Sequence, residues 1–258
     1  MTDTSKDKAK AFAALHRKGD PVVLYNIWDA GSAKAVAESG AKALATGSWS
    51  VAAAQGYPDG EAIPLEQLVT TVRQIAAATD LPVSVDFEGA YSAEPEQAAT
   101  NVARLIEAGA VGINFEDQVI GGSGLHDVEA QAARIRAIRA MAAARGVDLF
   151  INARTDLFLK EPDAAKHAGL VDEAIARGAA YAAAGASGFF VPLLLDPALV
   201  VKVTAASSLP VNILLKPGAP DVATFAKAGV GRISYGPFPY RAMIDCLKGQ
   251  AGSAYASA

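Results

Sequence analysis

The feature that most constrains the fold of this chain is an alternation of eight short apolar segments with eight helical patterns. The apolar segments occupy residues 22–27, 41–45, 81–86, 111–117, 149–156, 188–194, 211–216 and 232–236. Such alternation is typical of parallel strands joined by helical crossovers, and a count of eight favours a closed barrel over an open doubly wound sheet. A Gly-x-Gly-x-x-Gly fingerprint does not follow the first segment, which argues against a dinucleotide-binding domain. The sequence therefore predicts an α/β fold of the (β/α)8 TIM-barrel type.

Length and composition agree with this prediction. A chain of 258 residues without an interior linker is expected to form a single barrel domain over residues 1–258, with a leading helix at residues 7–18. Hydrophobic residues make up 52% of the sequence and charged residues 19%, as in globular proteins. The formal net charge is −4 and there is no basic stripe, so nucleic acid is a poor candidate partner.

The ends of the chain favour a cytoplasmic protein without a membrane partner. The first ten residues are charged and lack the apolar core of a signal peptide, and no apolar run is long enough to span a membrane. The single cysteine, Cys246, cannot form an intrachain disulfide. It lies on a predicted final helix over residues 240–247 and is expected to be a buried packing residue rather than a nucleophile. His16 and His167 are expected on the surface, and the tail at 249–258 is expected to be mobile.

Acidic residues accumulate where the predicted strands end, which is where barrels of this type build their active sites. Asp86 and Glu88 lie two residues apart and therefore project from the same side of the third strand. Two neighbouring carboxylates repel one another unless a cation or a shared proton offsets their charge. The strand ends together contribute Asp29, Gly47, Ser48, Asp86, Glu88, Glu116, Asp117, Arg154, Asp156, Pro192, Lys216 and Tyr235. Hard oxygen ligands of this kind suit Mg²⁺, or Mn²⁺, acting as a Lewis acid on a bound oxyacid.

Arg154 is a cation at the same end of the predicted barrel. Its guanidinium could bind a carboxylate with two hydrogen bonds while Asp156 orients it. The alternative is a structural ion pair of Arg154 with Asp156 or Asp117. The backbone N–H groups of residues 47–49 are a second candidate site for a carboxylate. A substrate with a carboxylate next to a second oxygen would engage the metal and the arginine together.

Several stretches of the sequence, taken in order, carry a family resemblance. They are Asn26-Ile-Trp-Asp29, Thr46-Gly-Ser-Trp-Ser50 followed by Gly56-Tyr-Pro-Asp59, Val85-Asp-Phe-Glu88-Gly, Gly112-Ile-Asn-Phe-Glu116-Asp117 and Asn152-Ala-Arg154. On these motifs the chain resembles the isocitrate lyase and phosphoenolpyruvate mutase superfamily over roughly residues 10–245. The resemblance implies a (β/α)8 barrel, commonly with the last helix exchanged between subunits of a homodimer within a homotetramer. It also implies Mg²⁺ and chemistry that makes or breaks a bond next to a 2-oxo acid or its enolate.

Carried over position by position, the resemblance implies a metal site on two neighbouring strands. Asp86 corresponds to the direct metal ligand, and Glu88 and Glu116 correspond to residues that hold the metal partly through waters. Glu88 departs from the family pattern, because many members carry Asp there. Its longer side chain should still reach the metal, but the coordination could differ.

The resemblance also implies which residues touch the substrate, a small 2-oxo or hydroxy di- or tricarboxylate. Asp59 matches the acid on the mobile loop after the second strand, and Arg154 matches the arginine that binds the substrate carboxylate. With Glu116, these two form the predicted catalytic set. The carboxylate end of the substrate is predicted to bind the stretch Gly47, Ser48 and Trp49.

The loop after the fourth strand departs further from the family. Lyases of the family usually carry a Lys-Lys-Cys-Gly-His type segment there, whose cysteine is the general acid, whereas this chain reads Gln118-Val-Ile-Gly-Gly-Ser-Gly-Leu-His126. An isocitrate or 2-methylisocitrate lyase is therefore disfavoured, and a phosphonopyruvate or PEP mutase is disfavoured because the mutases' lysine is missing as well. Ser123, as a substrate-binding residue, or His126 could assist instead, although His126 could equally contact the N-terminus of the next helix.

The reaction that needs least from this loop is decarboxylation of an oxaloacetate-like acid, since solvent can supply the proton to the enolate. A mutase-like or 2-methylisocitrate lyase-like activity remains an alternative. So does a protein that binds a 2-oxo acid without turning it over. A different enzyme class, in which Lys216 at the end of the seventh strand forms a Schiff base, would leave the acidic residues without a role.

Overall fold

The computed structural model describes residues 3–257, with side chains described from residue 6 onward. The strands are β1 (Val22–Leu24), β2 (Leu44–Ala45), β3 (Val83–Asp86), β4 (Gly112–Glu116), β5 (Phe150–Arg154), β6 (Gly188–Phe190), β7 (Val211–Leu214) and β8 (Arg232–Ser234). The α-helices are α1 (Asp3–Ala14), α2 (Ala30–Glu38), α3 (Ser48–Ala54), α4 (Leu65–Ala77), α5 (Pro95–Glu107), α6 (Val128–Ala144), α7 (Leu157–Lys160), α8 (Val171–Ala183), α9 (Pro197–Ala206), α10 (Val222–Lys227) and α11 (Phe238–Ala256). A 3₁₀ helix covers Ala164–Leu170. Residues 1, 2 and 258 of the predicted domain lie outside the described range.

The eight strands are all parallel and form one sheet in the order β1-β8-β7-β6-β5-β4-β3-β2. The two edge strands nearly close the ring. A parallel bridge joins Ile27 to Thr46, and the Ile27 amide donates to the Ala45 carbonyl at 2.9 Å. The predicted (β/α)8 barrel is confirmed.

The strand register decides which side chains meet at the carboxyl end of the barrel. Asp86 of β3 lies beside Asn114 of β4. One step further round the ring, Glu116 lies beside Arg154 of β5, and Arg154 lies beside Phe190 of β6. Because side chains two residues apart share a face of a strand, the polar residues of β3 to β5 point to the same region.

The amino end of the barrel is covered by α1, which explains why one sequence prediction was wrong. His16, expected on the surface, is buried, and its ring stacks on Phe150 with centroids 4.0 Å apart. Its Nδ1 is 2.8 Å from the Phe12 carbonyl. Burial, together with the charge of Arg232, lowers the pKa of His16 to about 3. The apolar periodicity of α1 did not reveal this burial, because the helix packs across strand ends that are distant in sequence.

Other differences from the predicted elements lie in the connections. His167 was also expected on the surface but is buried in the 3₁₀ helix, where its Nε2 is 2.9 Å from the Glu161 carbonyl. Two short helices, α3 and α7, follow β2 and β5 directly, where the apolar pattern predicted none. No helix within residues 3–257 has both the length and the apolar character needed to cross a membrane.

The last helix, α11, is long and poorly covered. It extends through Ala256, so most of the segment 249–258, which was expected to be a mobile tail, is helical. Of its residues only Pro239 is buried, while Met243, Leu247 and Tyr255 are exposed. Cys246 is exposed too, so the prediction that it packs inside this chain was wrong. The apolar side chains of Met243, Leu247 and Tyr255 are thus left uncovered by the part of the chain that the structure describes.

Candidate active site

A cavity of about 250 Å³ opens at the carboxyl ends of the strands. Its lining divides into two parts. The polar half includes Asn26, Ser48, Asp59, Asp86, Asn114, Arg154 and Ser234, and the apolar half includes Phe190, Pro192, Leu193, Leu214, Pro237 and Phe238. Gly47, Trp49, Leu159 and Gly236 complete the lining. Two larger depressions, of about 340 and 410 Å³, contain none of these polar residues. One is lined by residues around β1 and after α2, and the other by the segments that follow β7 and β8. The chemistry-bearing residues therefore single out the smaller cavity as the candidate site.

Asp86, at the end of β3, is held by one hydrogen bond to each carboxylate oxygen. The Ser48 amide donates to Oδ2 at 3.0 Å, and the Asn114 side chain donates to Oδ1 at 3.2 Å. Its own amide donates to the Thr46 hydroxyl at 2.9 Å. The carboxylate is thereby fixed at the edge of the cavity. The predicted carboxylate cradle at residues 47–49 uses one of its N–H groups, that of Ser48, on Asp86.

Arg154 borders the same cavity and is tied to two other acids. Its Nη1 is 2.9 Å from Glu116, and its Nε and Nη2 bond Asp156 at 2.5 and 3.1 Å. Its distance to Asp86 is 4.0 Å. Burial alone would lower the pKa of Arg154, but the three carboxylates hold it well above its usual value. The expected ion pair with Asp156 is present, and it keeps the guanidinium charged and aimed at the cavity.

Glu116 and Glu88 lie beside the cavity rather than in its lining. Glu116 is almost fully buried, and that burial raises its pKa well above the ordinary value despite the opposing charge of Arg154. The Glu88 carboxylate accepts hydrogen bonds from the amides of Gly60 and Glu61 at 2.9 and 3.0 Å. The backbone of Glu88 is left-handed, with φ of 48°, which turns its side chain toward this loop.

The loop after β2 brings Asp59 to the rim of the cavity, where it is exposed on one side. Loss of hydration on the other side and the charge of Asp86 raise the pKa of Asp59. Burial and the charges of Asp59 and Asp86 also raise the pKa of Glu88, to about 8. Among residues 3–257, no three His, Cys, Asp or Glu side chains are grouped so as to bind one metal ion together. The roles predicted for Asp86, Glu88 and Glu116 as metal ligands stay predictions.

Several residues singled out in the sequence lie elsewhere. Asp29 is exposed and caps α2 by accepting from the Ser32 amide at 2.7 Å. Lys216 is exposed outside the cavity. Ser123 is exposed in the loop at 118–127 and does not line the cavity, so its role in substrate binding stays a prediction. Trp49 lines the cavity from α3 and lies 4.5 Å from the Arg241 guanidinium.

Asp117 follows Glu116 but faces away from the cavity. Its carboxylate accepts from Arg177 at 3.1 Å, from the Tyr181 hydroxyl at 2.8 Å and from the Asp156 amide at 3.0 Å. It is fully buried, so these bonds replace the water that it loses. Asp117 therefore joins β4 and β5 to α8, and the alternative ion pair between Asp117 and Arg154 is not formed.

Sequence reasoning missed two asparagines and the apolar half of the cavity. Asn114 donates to Asp86 and accepts from Asn152 and Arg232 at 2.8 and 3.0 Å, so it links Asp86 to the barrel interior. Asn26 accepts from the amides of residues 235 and 236 at 2.8 Å and thereby fixes the loop after β8. The available signal for Asn114 was its position two residues before Glu116, which places both side chains on one face.

The apolar half is built by β6, β7 and the segment after β8. Phe190 lies next to Arg154, with the guanidinium carbon 5.8 Å from its ring centroid. Leu214 covers Gly236 so closely that a Cβ at Gly236 would lie 2.5 Å from Leu214 Cδ1. Leu193 has a left-handed backbone, with φ of 66°. Close packing and local strain thus fix an apolar surface opposite the carboxylates.

Comparison with known proteins identifies a matching family and several individual relatives. The sequence profile of the family described as phosphoenolpyruvate phosphomutase matches residues 12–254. An uncharacterized protein of Mycobacterium tuberculosis (strain ATCC 25618 / H37Rv) is 38% identical over 90% of this chain and 84% of its own length. Escherichia coli 2-methylisocitrate lyase is 30% identical over 78% of this chain and 68% of its own. Paraburkholderia xenovorans oxaloacetate decarboxylase is 30% identical over 78% of this chain and 66% of its own.

A solved structure extends the likeness to the whole fold. A protein of Burkholderia cenocepacia J2315, provisionally described as a phosphonomutase, is 48% identical to this chain. The match covers 97% of this chain and 99% of that protein, with a TM-score of 0.94. The barrel and its loops are therefore shared with that protein almost from end to end.

Proposed function

The chain belongs to the phosphoenolpyruvate phosphomutase family, and from this membership we propose that it is a Mg²⁺-dependent carbon–carbon lyase. The proposed reaction breaks a bond next to a 2-oxo acid and leaves an enolate. The observation that carries the proposal is the pairing of Asp86 and Arg154, which line one cavity with their charged atoms 4.0 Å apart. A ligand for a cation and a cation for a carboxylate thus face the same small volume.

The acidic residues fit a hard divalent cation. Burial and mutual repulsion raise the pKa of Asp59 and Glu88, and a positive ion beside Asp86 would relieve that repulsion. Mg²⁺ binds proteins through one or two carboxylates and keeps several waters, so three grouped side chains are not required. We assign Asp86 as the direct ligand, with Glu88 and Glu116 holding waters around the ion.

The chain's own residues bind and orient the reacting groups. Arg154 binds the substrate carboxylate, and its two partner acids keep it charged and in place. Ser48 and Asn114 fix the direction of the Asp86 carboxylate. When bound, the metal ion supplies a Lewis acid that stabilises negative charge on the oxygen of a 2-oxo group.

Decarboxylation of an oxaloacetate-like acid is the proposed form of this reaction. The C3–C4 bond breaks, its electron pair forms the enolate, CO₂ leaves, and water protonates C3. Two observations favour it over the alternatives. The first is that the loop at 118–127 contains no cysteine to act as the lyase acid. Among the described residues that line the cavity, Arg154 is the only cationic side chain, which suits a neutral leaving group better than a phosphoryl group.

The test is release of pyruvate or a 3-substituted analogue from a panel of β-oxo and β-hydroxy diacids in the presence of Mg²⁺. We expect release from a β-oxo diacid, and loss of that release with EDTA or in Asp86→Asn. Asp29→Asn is the matched control, because Asp29 is an exposed carboxylate outside the cavity. If a dicarboxylate binds but nothing in the panel turns over, the proposal is wrong and the protein only binds 2-oxo acids.

Borohydride trapping separates the metal reaction from a Schiff-base reaction at Lys216. Reduction in the presence of pyruvate should leave no covalent adduct, because Lys216 is exposed outside the cavity. An adduct on Lys216 that survives EDTA treatment would assign the chain to the covalent class instead.

We also propose that α11 packs against a second copy of this chain, as in a helix-exchanged homodimer or homotetramer. Leu247 of α11 is 58% exposed, and Val23 and Tyr25 on the outside of the barrel near β1 are exposed as well. The depressions of about 340 and 410 Å³ flank this part of the barrel. Light scattering should give a mass of two or four chains, and the double variant Met243→Asp/Leu247→Asp should give a smaller species. A monomer at micromolar concentration would contradict the proposal.

A further inference from the structure

We propose that the substrate of this cavity is an oxaloacetate-like acid that carries a short alkyl group at C3, and that Phe190, Leu193 and Leu214 select this alkyl group. This inference rests on the proposed function, because it takes the carboxylate and the 2-oxo group to bind at Asp86 and Arg154. It adds which molecules among 2-oxo acids the cavity accepts.

The distribution of charge in the cavity limits how many carboxylates can bind there. Arg154 is the sole cation in the cavity lining described by the structure, and Asp156 and Glu116 already accept from its Nε, Nη1 and Nη2. One substrate carboxylate can share this guanidinium. A carboxylate beyond the β-carboxylate that leaves as CO₂ would lie against the apolar half and lose its water without gaining a cationic partner. Burying an unpaired carboxylate in this way is strongly unfavourable.

The apolar half lies directly beside the guanidinium proposed to bind that carboxylate. Phe190 is the strand neighbour of Arg154, so apolar surface begins directly beside the guanidinium. Leu214 is the strand neighbour of Ser234 and continues that surface toward β8. A substrate anchored at Arg154 must therefore extend along hydrocarbon once it leaves the polar half.

Backbone conformation fixes the shape of this apolar surface. Leu193 has a left-handed backbone, with φ of 66°. This conformation costs a non-glycine residue energy, so it persists only where the surrounding structure holds it in place. Gly236, with φ of 52°, leaves room that Leu214 fills. A loose hydrophobic lining would need neither feature. The backbone conformations of Leu193 and Gly236 thus fix the side chains of Leu193 and Leu214 in the lining of the cavity.

The volume of the cavity limits the length of the ligand. A cavity of about 250 Å³ is smaller than the roughly 300–1,000 Å³ of sites for drug-sized ligands, so the ligand has few carbons beyond the 2-oxo acid. Leu159, which is 39% exposed, lies at the opening and can cover such a group from outside. The ligand class is therefore a short 2-oxo acid with an alkyl group.

The test compares two probes of equal size by calorimetry in the presence of Mg²⁺. 2-Oxo-5-methylhexanoate carries an isopropyl group where 2-oxoglutarate carries its second carboxylate, so the pair differs in charge and polarity at one end. We expect the alkyl acid to bind at least about tenfold more tightly, since burial of the isopropyl group is favourable and burial of the carboxylate is not. Equal binding, or tighter binding of 2-oxoglutarate, overturns the inference.

A variant reverses the preference if the assignment of the apolar half is correct. Leu214→Lys places a cation in the apolar half and should shift the ratio of the two affinities toward 2-oxoglutarate by about tenfold or more. Binding of oxalate, which has no far end, reports whether the polar half is still intact. Val201→Ser, on the exposed surface of α9, is the matched control and should leave the ratio unchanged. An unchanged ratio in a Leu214→Lys variant that still binds oxalate also overturns the inference.

The same data distinguish this inference from the proposed function. If the alkyl acid binds tightly but no β-oxo acid turns over, substrate selection stands and the lyase reaction fails. If oxaloacetate turns over faster than its 3-alkyl derivatives, the lyase reaction stands and the inference fails. If neither probe nor oxalate binds with Mg²⁺, both fail together.

Discussion

Across the opening of the barrel, β3 to β5 present Asp86 and Arg154, whereas β6 and β7 present Phe190 and Leu214. In the polar half each charged group is oriented by another polar group, as Asp156 orients Arg154. In the apolar half, positions are set by packing and by backbone conformation. Directional bonds lose their effect when one partner changes, whereas packing tolerates change of similar volume. Substitutions in the polar half should therefore abolish the reaction, and those in the apolar half should change which substrate reacts.

Arg154→Met should have the largest effect. It removes the cation for the substrate and leaves Glu116 and Asp156 buried without their partner. Breaking a buried pair costs about 3–5 kcal/mol of folding free energy, and activity should fall below detection. Urea denaturation and pyruvate release measure the two losses. Arg154→Lys, the control, should recover most of the stability but little of the activity, since lysine lacks the planar fork. Full activity in Arg154→Met would contradict the assignment of the polar half.

Asp117→Asn alters a buried acid that follows β4 but faces away from the cavity. Its bonds to Arg177, Tyr181 and the Asp156 amide hold elements together and touch no substrate. We expect a loss of about 1–3 kcal/mol in the free energy of unfolding. The kcat/KM of the folded fraction should stay within about threefold, a change below 1 kcal/mol. Asp86→Asn should show the reverse pattern. The account is wrong if both variants lose activity without losing stability.

Gly236→Ala should displace Leu214 in the apolar half. The added Cβ would lie 2.5 Å from Leu214 and would occupy a backbone with φ of 52°. A left-handed alanine alone costs roughly 1–2 kcal/mol, which thermal unfolding would detect. Because Leu214 must move, the KM for a 3-alkyl substrate should rise more than that for oxaloacetate. Equal changes for both substrates would argue against a separate apolar half.

The pH dependence of stability should reveal the smallest effect, at the opposite end of the barrel. The pKa of His16 falls from 6.5 to about 3 on folding, because of burial and the charge of Arg232. Between these values the unfolded chain binds more protons, so the free energy of unfolding falls as pH drops below about 6.5 and is fully retained above it. His16→Phe should flatten this slope in urea titrations at pH 7.5 and 5.5. An unchanged slope would assign acid sensitivity to the carboxylates of the cavity.

Sequence reasoning predicted the fold and two charged residues of the polar half, Asp86 and Arg154, by the same route. Eight apolar segments specify parallel strands, and Asp86, Glu116 and Arg154 at their ends are charged residues that a core would not contain. The apolar half could not be found in this way, because Phe190 and Leu214 at strand ends look like ordinary core residues. The direction of Glu88 was equally hidden, since it depends on a left-handed backbone that no residue type at that position signals.

The extent of α11 shows a second limit of sequence reasoning. Gly249 and Gly252 and the small polar residues around them indicate a flexible tail, yet the helix continues to Ala256. Intrinsic propensity is a weak guide where packing against another surface decides the structure. The exposed Leu247 on this helix is consistent with a surface supplied by a second chain.

The central claim is that the polar half stabilises the enolate of a 2-oxo acid. Proton nuclear magnetic resonance in D₂O tests this directly, because stabilising the enolate speeds the loss of a C3 proton to the solvent. The enolate then takes deuterium from the solvent at C3, and no carbon–carbon bond has to break. With Mg²⁺ and the protein, the C3 protons of 2-oxo-4-methylpentanoate should exchange well above the rate with Mg²⁺ alone, and Asp86→Asn should return exchange to that background. Exchange at the background rate, under conditions where calorimetry shows the acid to be bound to the unaltered protein, would contradict the claim.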